Sequence, residues 1–537
     1  MAAQALDTPD LQSSLVALLG ADRVVLDPVE RHAASADVYS EGATCAAVVR
    51  PADTEQLAAA VAYTTRAGYA VIPRGGGLTY TGGYTPPHER SVIVDCAGLD
   101  RIVEVSADNM YVTAQAGVTW KSLHAALAPL GLRLPCFGTF SGARATVGGG
   151  LSNGALFFGS ARWGTVADSL LGLEVVLADG TRLHTGQRAL RSAQRPFYRT
   201  FGPDLTGLFV HDGGTLGVKT EATFRLIRAP THTGYLSFAF GSLETSARAL
   251  SEVARAGVAE DAYVLDPLST RQSVDGADLA QALRTLGAVV RGGSNWLQGL
   301  KDGARMAAAG RDFGAHDVHS LHVVAAAQSA PALEADLEAC RALAAQCGGT
   351  EIPASMPRAA RADLFPPPNG VLGTTGERWA ALNAKVAHSD ALALVAEGEA
   401  LLARHAAEFE KHGIWTTRLL IALSNHSFSY EPVFRWRDAW LPIHRRAADP
   451  RHLAKFTEPL PNPAARDLVH RARAEMVELF ARHGAASNQI GRTYPYFDRL
   501  EAPAAELLAA LKRAVDPDGR LNPGALGLGG GGSGLPA

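Results

Sequence analysis

The sequence predicts an α+β protein of two parts, a glycine-loop domain and a cap, and three observations carry the prediction. A β-α-β run ends in "PRGGGLTYTGG" (73–83), beyond the end of a strand, which is where α/β sheets hold ligands. Two further glycine-rich stretches, 138–180 and 205–226, also lie beside strands, and three such loops imply one large ligand touched at several places. Beyond Pro230, two strand-helix-strand units suggest an antiparallel sheet with helices on one face, of the split β-α-β sort.

The elements follow in order. After a helical lead-in over 1–45, "CAAVVRP" is β-rich and 52–68 has helical spacing, with Asp53 and Gln56 placed for a capping box. "YAVIP" (69–73) is a buried strand feeding the first glycine loop, and "SVIVDCAGL", "RIVEVS" and "YVTAQAG" are short strands before a helix over 119–131. The second glycine stretch closes as a strand on an Asp179-Gly180 turn. In the cap, "YLSFAF", a helix over 242–257 and "AYVLD" form one unit; "SLHVVAAA" and a helix over 331–349 belong to the other. A last helix at 504–517 leads into "DGRLNPGALG", and 527–537 read as a flexible tail. The expected domains are thus 46–228, a cap over 229–460, and a segment 461–526 that returns to the first domain.

Composition narrows the class. With 537 residues the chain exceeds one core, and 47% hydrophobic with 19% charged residues fits an ordinary globular protein. A net charge of −3 argues against nucleic acid as a partner. The five cysteines show no C-x-x-C pair and no zinc-finger spacing, and read as reduced, buried thiols. No apolar run reaches the roughly 20 residues of a membrane span, and the N-terminus lacks a secretory pattern, so a cytoplasmic location is expected. Gly527, Gly529 and Gly532 match G-x-G-x-x-G, yet no strand precedes them and no helix follows, which makes the match a low-complexity coincidence.

The three loops resemble those of the flavoprotein family that includes vanillyl-alcohol oxidase, p-cresol methylhydroxylase and the FAD subunits of glycolate oxidase and D-lactate dehydrogenase. "PRGGGLTYTGG" looks like that family's pyrophosphate loop, "ATVGGGLSNGALFFGSARWGTVADSLLGLEVVLADG" its second FAD segment, and "DLTGLFVHDGGTLGVKTEATFRL" its third. "AVDPDGRLNPGALG" resembles its closing segment. The resemblance implies a two-part FAD-binding domain of the p-cresol methylhydroxylase type under an antiparallel cap. It also implies FAD as cofactor, held by Pro73, Arg74, Gly75, Gly76, Gly77, Leu78 and Thr79 in the first loop. Ser141, Thr146, Val147, Gly148, Gly149, Ser152 and Asn153 would follow in the second, and Gly217 and Val218 in the third. The physics suits this, since a pyrophosphate is well held by converging backbone N–H groups that side chains would obstruct.

Departures from the family are informative. Leu78 stands where members with histidine-linked flavin carry the histidine, and Cys136 lies well upstream of the "VGG", so non-covalent FAD is expected. The metal-assisted branch carries an "HxGDGNxH"-like segment and a Glu-His pair. Here "SNHSFSYEPVF" keeps only His426, and no metal site is expected. The phenol-oxidising branch carries Tyr-Arg-Thr near its C-terminus; "GRTYPY" keeps Arg492 and Thr493 with Gly491 in place of the tyrosine.

Arg492 is therefore the first catalytic candidate, also facing the flavin, because a guanidinium can bind an anionic substrate or stabilise negative charge on the cofactor. His426 is the candidate base, with Tyr430 orienting the substrate oxygen and Tyr494 nearby. Arg144, Trp163 and His211 lie in or beside the loops. "HDVHSLH" places His316 and His322 on one face of a strand and His319 on the other, an edge role rather than a metal site.

The expected function is FAD-dependent oxidation or dehydrogenation of a small alcohol, phenolic or benzylic, or of a hydroxy acid. The electron acceptor would be O2 or a quinone or cytochrome. A homodimer stays open. The alternatives are a metal-independent D-2-hydroxy-acid dehydrogenase, a non-redox flavin-dependent transferase resembling alkylglycerone-phosphate synthase, and a flavin subunit without catalysis.

Overall fold

The computed structural model describes residues 8–275 and 318–529. His316 and the tail from residue 530 lie outside the described residues.

Two small sheets build the loop-bearing domain. In the first, β1 (Val24–Val25), β2 (Ala47–Val49), β3 (Ala70–Arg74) and β4 (Ser91–Asp95) take the order β1-β2-β4-β3, with β4 parallel to both β2 and β3. The helix Thr54–Arg66 supplies the crossover. Its Asp53 cap accepts the Gln56 N–H at 2.8 Å, while Gln56 Oε1 reaches one residue further back than a capping box does, to the Ala52 N–H. Because β3 is buried and parallel, it delivers the first glycine loop at a carboxyl edge of the sheet.

The second sheet is antiparallel. It contains β5 (Ile102–Ser106), β6 (Tyr111–Gln115), β8 (Leu170–Val176), β9 (Arg182–His184) and β10 (Val218–Arg225), ordered β5-β6-β10-β8-β9. A two-stranded pair, β7 (Leu132–Arg133) with β11 (Ile227–Arg228), leads out toward the cap.

The cap sheet comprises β12 (His232–Phe240), β13 (Asp261–Leu265), β14 (His319–Ala327), β15 (Thr350–Ile352), β16 (Arg378–Ala381), β17 (Ala384–Val386), β18 (Ile414–Leu423) and β19 (Ser427–Trp436). The order β15-β12-β14-β13 is the expected split β-α-β arrangement, with helices Leu243–Ala256 and Ala330–Gln346 as its connections. The β18–β19 hairpin extends the sheet from β13. His322 serves this core: it is fully buried between Ser237 Oγ at 2.8 Å and Ser320 Oγ at 3.0 Å, and burial pushes its pKa down to about 3.

The helix Pro463–Arg482 packs Leu468, Val469, Ala472, Met476 and Phe480 into the cap core beside Leu394 and Tyr430. The C-terminal return placed at 461 therefore begins only after this helix, whose apolar stripe matches the cap. Leu528, assigned by sequence to the tail, is fully buried with Ala525 and Leu526.

A buried ionic cluster holds the seam between the two halves. Glu260 and Asp261, at the start of β13, meet Arg133 and Arg361, and Asp261 Oδ1 accepts the Gly159 N–H at 2.6 Å.

The C-terminal return closes the loop domain. Asn522 has φ 39°, a left-handed conformation that asparagine tolerates. It donates to Gly83 O at 2.8 Å and Gly213 O at 2.6 Å, and accepts from Arg492 Nη2 at 2.9 Å. Lys512 adds bonds to Thr215 O at 2.7 Å and Asp516 Oδ2 at 2.6 Å. Replacing Asn522 by alanine takes their donor from the Gly83 and Gly213 carbonyls and removes one of the three acceptors of the Arg492 guanidinium. The substitution is expected to cost about 3 kcal/mol, read as an earlier urea transition of the loop domain.

Candidate functional site

One cavity of about 450 Å³ runs from the glycine loops to the underside of the cap sheet. Pro73 to Thr79, Ser141, Thr146, Gly148, Gly149, Ser152, Asn153, Gly217 and Val218 all line it. Val147 does not: as the first residue of helix Val147–Asn153, it turns its side chain into the core.

The glycines are required by close backbone approach. A β-carbon on Gly75 would collide with Thr146 Oγ1, and one on Gly76 would meet the Arg144 carbonyl. At the loop the cavity wall includes Arg74, and a second cavity of about 340 Å³ behind the same glycines is lined by Arg74 and Arg144. Burial and the neighbouring Arg74 both lower the Arg144 pKa, so two cations lie close together beside the loop. Arg74 Nη1 lies 3.5 Å from Asp95, and Arg74 Nε is buried without a protein partner.

The opposite end is apolar. Phe140, Leu156, Phe157, Trp379, Leu419 and Ile421 form its walls, and Tyr80, Glu431, Asn488 and Gln489 are among its polar groups. Glu431 sits on β19 opposite Leu419 of β18. Asn383 Nδ2 holds Glu431 Oε2 at 3.4 Å and Ser429 Oγ at 2.6 Å. Burial raises the Glu431 pKa to about 7 against the opposing pull of Asn383 and Lys385. Lys385 falls to about 8 for the same reason, tempered by Asp168 and Glu431. Asn488 Oδ1 and Gln489 Oε1 are buried with no protein partner, and Gln489 has φ 52°.

The expected catalytic residues fall elsewhere. Tyr430 lies on the helix-covered face of β19 with Phe428, Phe434 and Trp436, and its hydroxyl donates to Glu399 at 2.9 Å. Side chains alternate along a strand, so the residue that enters the cavity is its neighbour Glu431. His426 is exposed in the turn joining β18 to β19. Tyr494 is buried and accepts the Asn383 N–H at 2.7 Å, and burial raises its pKa to about 12. Its hydroxyl thus holds the backbone of Asn383, the residue whose side chain reaches Glu431.

Arg492 does not line the cavity. Its guanidinium donates to Gly82 O, Asn522 Oδ1 and Pro523 O, which makes it a strut between the first loop and the C-terminal return. His211 is packed against Gly154, with a pKa lowered by burial to about 4, and Trp163 stacks between Arg162 and Arg225. Neither lines the cavity. Sequence patterning missed Glu431, Asn488 and Gln489, and also Asp37, whose buried carboxylate accepts the Gly82 N–H at 2.7 Å.

A glycine-walled channel flanked by arginines and ending in an apolar chamber is the form of a dinucleotide-cofactor site. Comparison agrees: residues 45–186 match an FAD binding domain family. A probable mitochondrial D-lactate dehydrogenase from Danio rerio is 33% identical over 211 residues, covering 39% of this chain and 41% of the relative. A glycolate oxidase subunit from Bacillus subtilis is 28% identical over 212 residues, 40% of this chain and 43% of the relative. The chain thus spans about two fifths of the length of these relatives. Over the whole length, p-cresol methylhydroxylase superposes with TM-score 0.72 at 16% identity, covering 97% of this chain and 96% of that one. The protein is an FAD-binding protein of p-cresol methylhydroxylase fold, and FAD is its cofactor.

The residues present fit FAD. The bare loop and the Arg74 and Arg144 guanidiniums suit a pyrophosphate. The unpartnered Asn488 and Gln489 oxygens offer acceptors to a ring N–H. Gly76→Val is expected to abolish FAD loading, measured from the flavin absorbance of the purified protein. Arg492→Lys is expected to retain FAD less tightly because lysine cannot make the forked contacts, while turnover per bound flavin stays unchanged.

Proposed function

We infer that the protein is an FAD-dependent oxidoreductase that removes a hydride from the carbinol carbon of a small alcohol, with Glu431 as the base. FAD bound in the cavity would supply the hydride acceptor. The observation that carries this is a carboxylate of pKa about 7 at the apolar end of the cofactor cavity. A base poised near neutrality is ionised often enough to act and basic enough to accept a hydroxyl proton. Asn383 fixes the Glu431 carboxylate, and Asn488 and Gln489 orient what lies beside it.

The walls support a phenolic or benzylic alcohol. Phe140, Phe157 and Trp379 offer aromatic surface, and an ionised Glu431 would repel a substrate carboxylate. A 2-hydroxy acid is the second reading, favoured by the likeness to the D-lactate dehydrogenase and glycolate oxidase segments and by Lys385 near Glu431. Oxygen, a quinone or a cytochrome would reoxidise the cofactor.

The cofactor is proposed to be non-covalent. Leu78 lines the first loop, and Cys96, the cysteine on the cavity wall among the described residues, is kept protonated by burial with a pKa of about 12. Acid precipitation should leave a yellow supernatant.

Anaerobic titration with benzylic alcohols and with hydroxy acids tests the class, because the compound that bleaches the flavin is the substrate. No bleaching by either set would favour a non-redox transferase or a flavin subunit without catalysis. Glu431→Gln is expected to lower kcat/KM by about 10²- to 10⁴-fold. In the wild type, kcat/KM should rise with pH through a midpoint near 7 to a plateau above it, a limb that the variant lacks. Stability gives an independent readout. The folded state keeps Glu431 protonated up to about pH 7, whereas unfolding returns it to its ordinary value of 4.5. Wild-type stability therefore falls as pH rises through that window, and Glu431→Gln should remove this slope in denaturation curves at pH 5 and pH 8.

A further inference from the structure

The loop domain carries an apolar surface that the cofactor site does not use. Between β9 and β10, residues 186–209 expose Leu190, Phe197, Tyr198, Phe201, Leu205 and Leu208, with Phe197 at 57% and Phe201 at 73% of full exposure. Six large apolar side chains exposed within one segment of 24 residues is not the scattered exposure normal for a soluble surface.

The segment is also basic. It holds Arg188, Arg191, Arg195 and Arg199 against Asp204, a net charge of +3 in a chain whose total is −3. Arg188 is paired with Glu221 and Arg199 with Asp204, while Arg191 and Arg195 are exposed, Arg195 also reaching the Tyr111 hydroxyl.

The surface is mounted on a fixed frame. Thr206 Oγ1 donates to Thr185 Oγ1 at 2.9 Å, Arg199 Nη1 to Ala167 O at 2.9 Å, and Gln187 N to Tyr198 O at 2.8 Å. Buried Thr206 and Phe209 anchor its far end. The apolar side chains are thus presented outward by backbone that is itself tied to the second sheet.

We propose that residues 187–208 dock the protein on an anionic lipid bilayer surface, with Phe197, Tyr198 and Phe201 entering the headgroup layer and Arg191 and Arg195 facing lipid phosphates. Aromatic rings beside arginines are the chemistry of the membrane interface, where apolar bodies and cationic heads are both accommodated. Each arginine near an anionic surface adds to the attraction. A second copy is a poorer occupant, because a two-fold contact would set the basic segment against itself. Among the described residues no helix is long and apolar enough to cross a membrane, so the contact would be peripheral.

The test is flotation of the FAD-loaded protein with phosphatidylcholine vesicles, with and without phosphatidylglycerol. Two double variants run alongside, Phe197→Ser with Phe201→Ser and Arg191→Glu with Arg195→Glu. The expected result is binding to the anionic vesicles that falls at least tenfold in each double variant and in high salt, with flavin content and turnover with a soluble acceptor unchanged. Failure of the wild-type protein to float with anionic vesicles would overturn the proposal, as would binding that neither variant reduces. A concentration-dependent dimer in sedimentation that the phenylalanine variant abolishes would overturn it too, by assigning the patch to a subunit contact.

Discussion

The cofactor cradle depends on one side chain that never touches the cavity. Asn522 spends both amide hydrogens on carbonyls of two different glycine loops and its oxygen on Arg492, which in turn grips Gly82. Bare loops have no side chains with which to hold one another, so the glycines that let a pyrophosphate approach also leave the loops without lateral support. The C-terminal return provides it, with Lys512 and Asp516 on one side and, from the N-terminal side, the buried Asp37 carboxylate. Asp37 is pushed above its ordinary pKa by burial even with three backbone N–H groups donating to it, which shows how dry this support layer is.

The chamber under the cap obeys a different constraint, the two-residue period of a strand. Along β19, Phe428, Tyr430, Phe434 and Trp436 enter the helix-covered core, which leaves Glu431 on the opposite face toward the cofactor cavity. A charged group there has few partners and many apolar neighbours, and its raised pKa follows from that placement. The helices Leu243–Ala256, Ala391–Arg404 and Pro463–Arg482 all pack on the core side of β19, so packing away from the chamber decides which face Glu431 takes.

Much of this was legible in the sequence, and the limits have physical causes. The glycine loops could be read because close approach is a local property: Gly75 and Gly76 announce it without reference to partners. The split β-α-β order of the cap followed from strand and helix periodicities. Sequence alone points to Tyr430 and not to its neighbour Glu431, because which of the two enters the cavity depends on which side of the sheet the helices cover, a non-local fact. Arg492, expected at the flavin from the Tyr-Arg-Thr resemblance, shows a related limit: its partners, Gly82 and Asn522, lie 410 and 30 residues away, and only the fold brings them together. The start of the return at 461 is too early because an apolar stripe such as that of the helix Pro463–Arg482 does not by itself say which core it joins.

The place of Asn522 in the chain also sets an order of events during synthesis. The first and third glycine loops are made long before the residue that fastens them, with the whole cap in between. A nascent chain can form both sheets of the loop domain, yet its loops stay unfastened until residues 512–522 emerge and fold back onto Val71, Gly83, Gly213 and Thr215. A fully fastened cofactor cradle therefore requires residues 512–522 to have folded back.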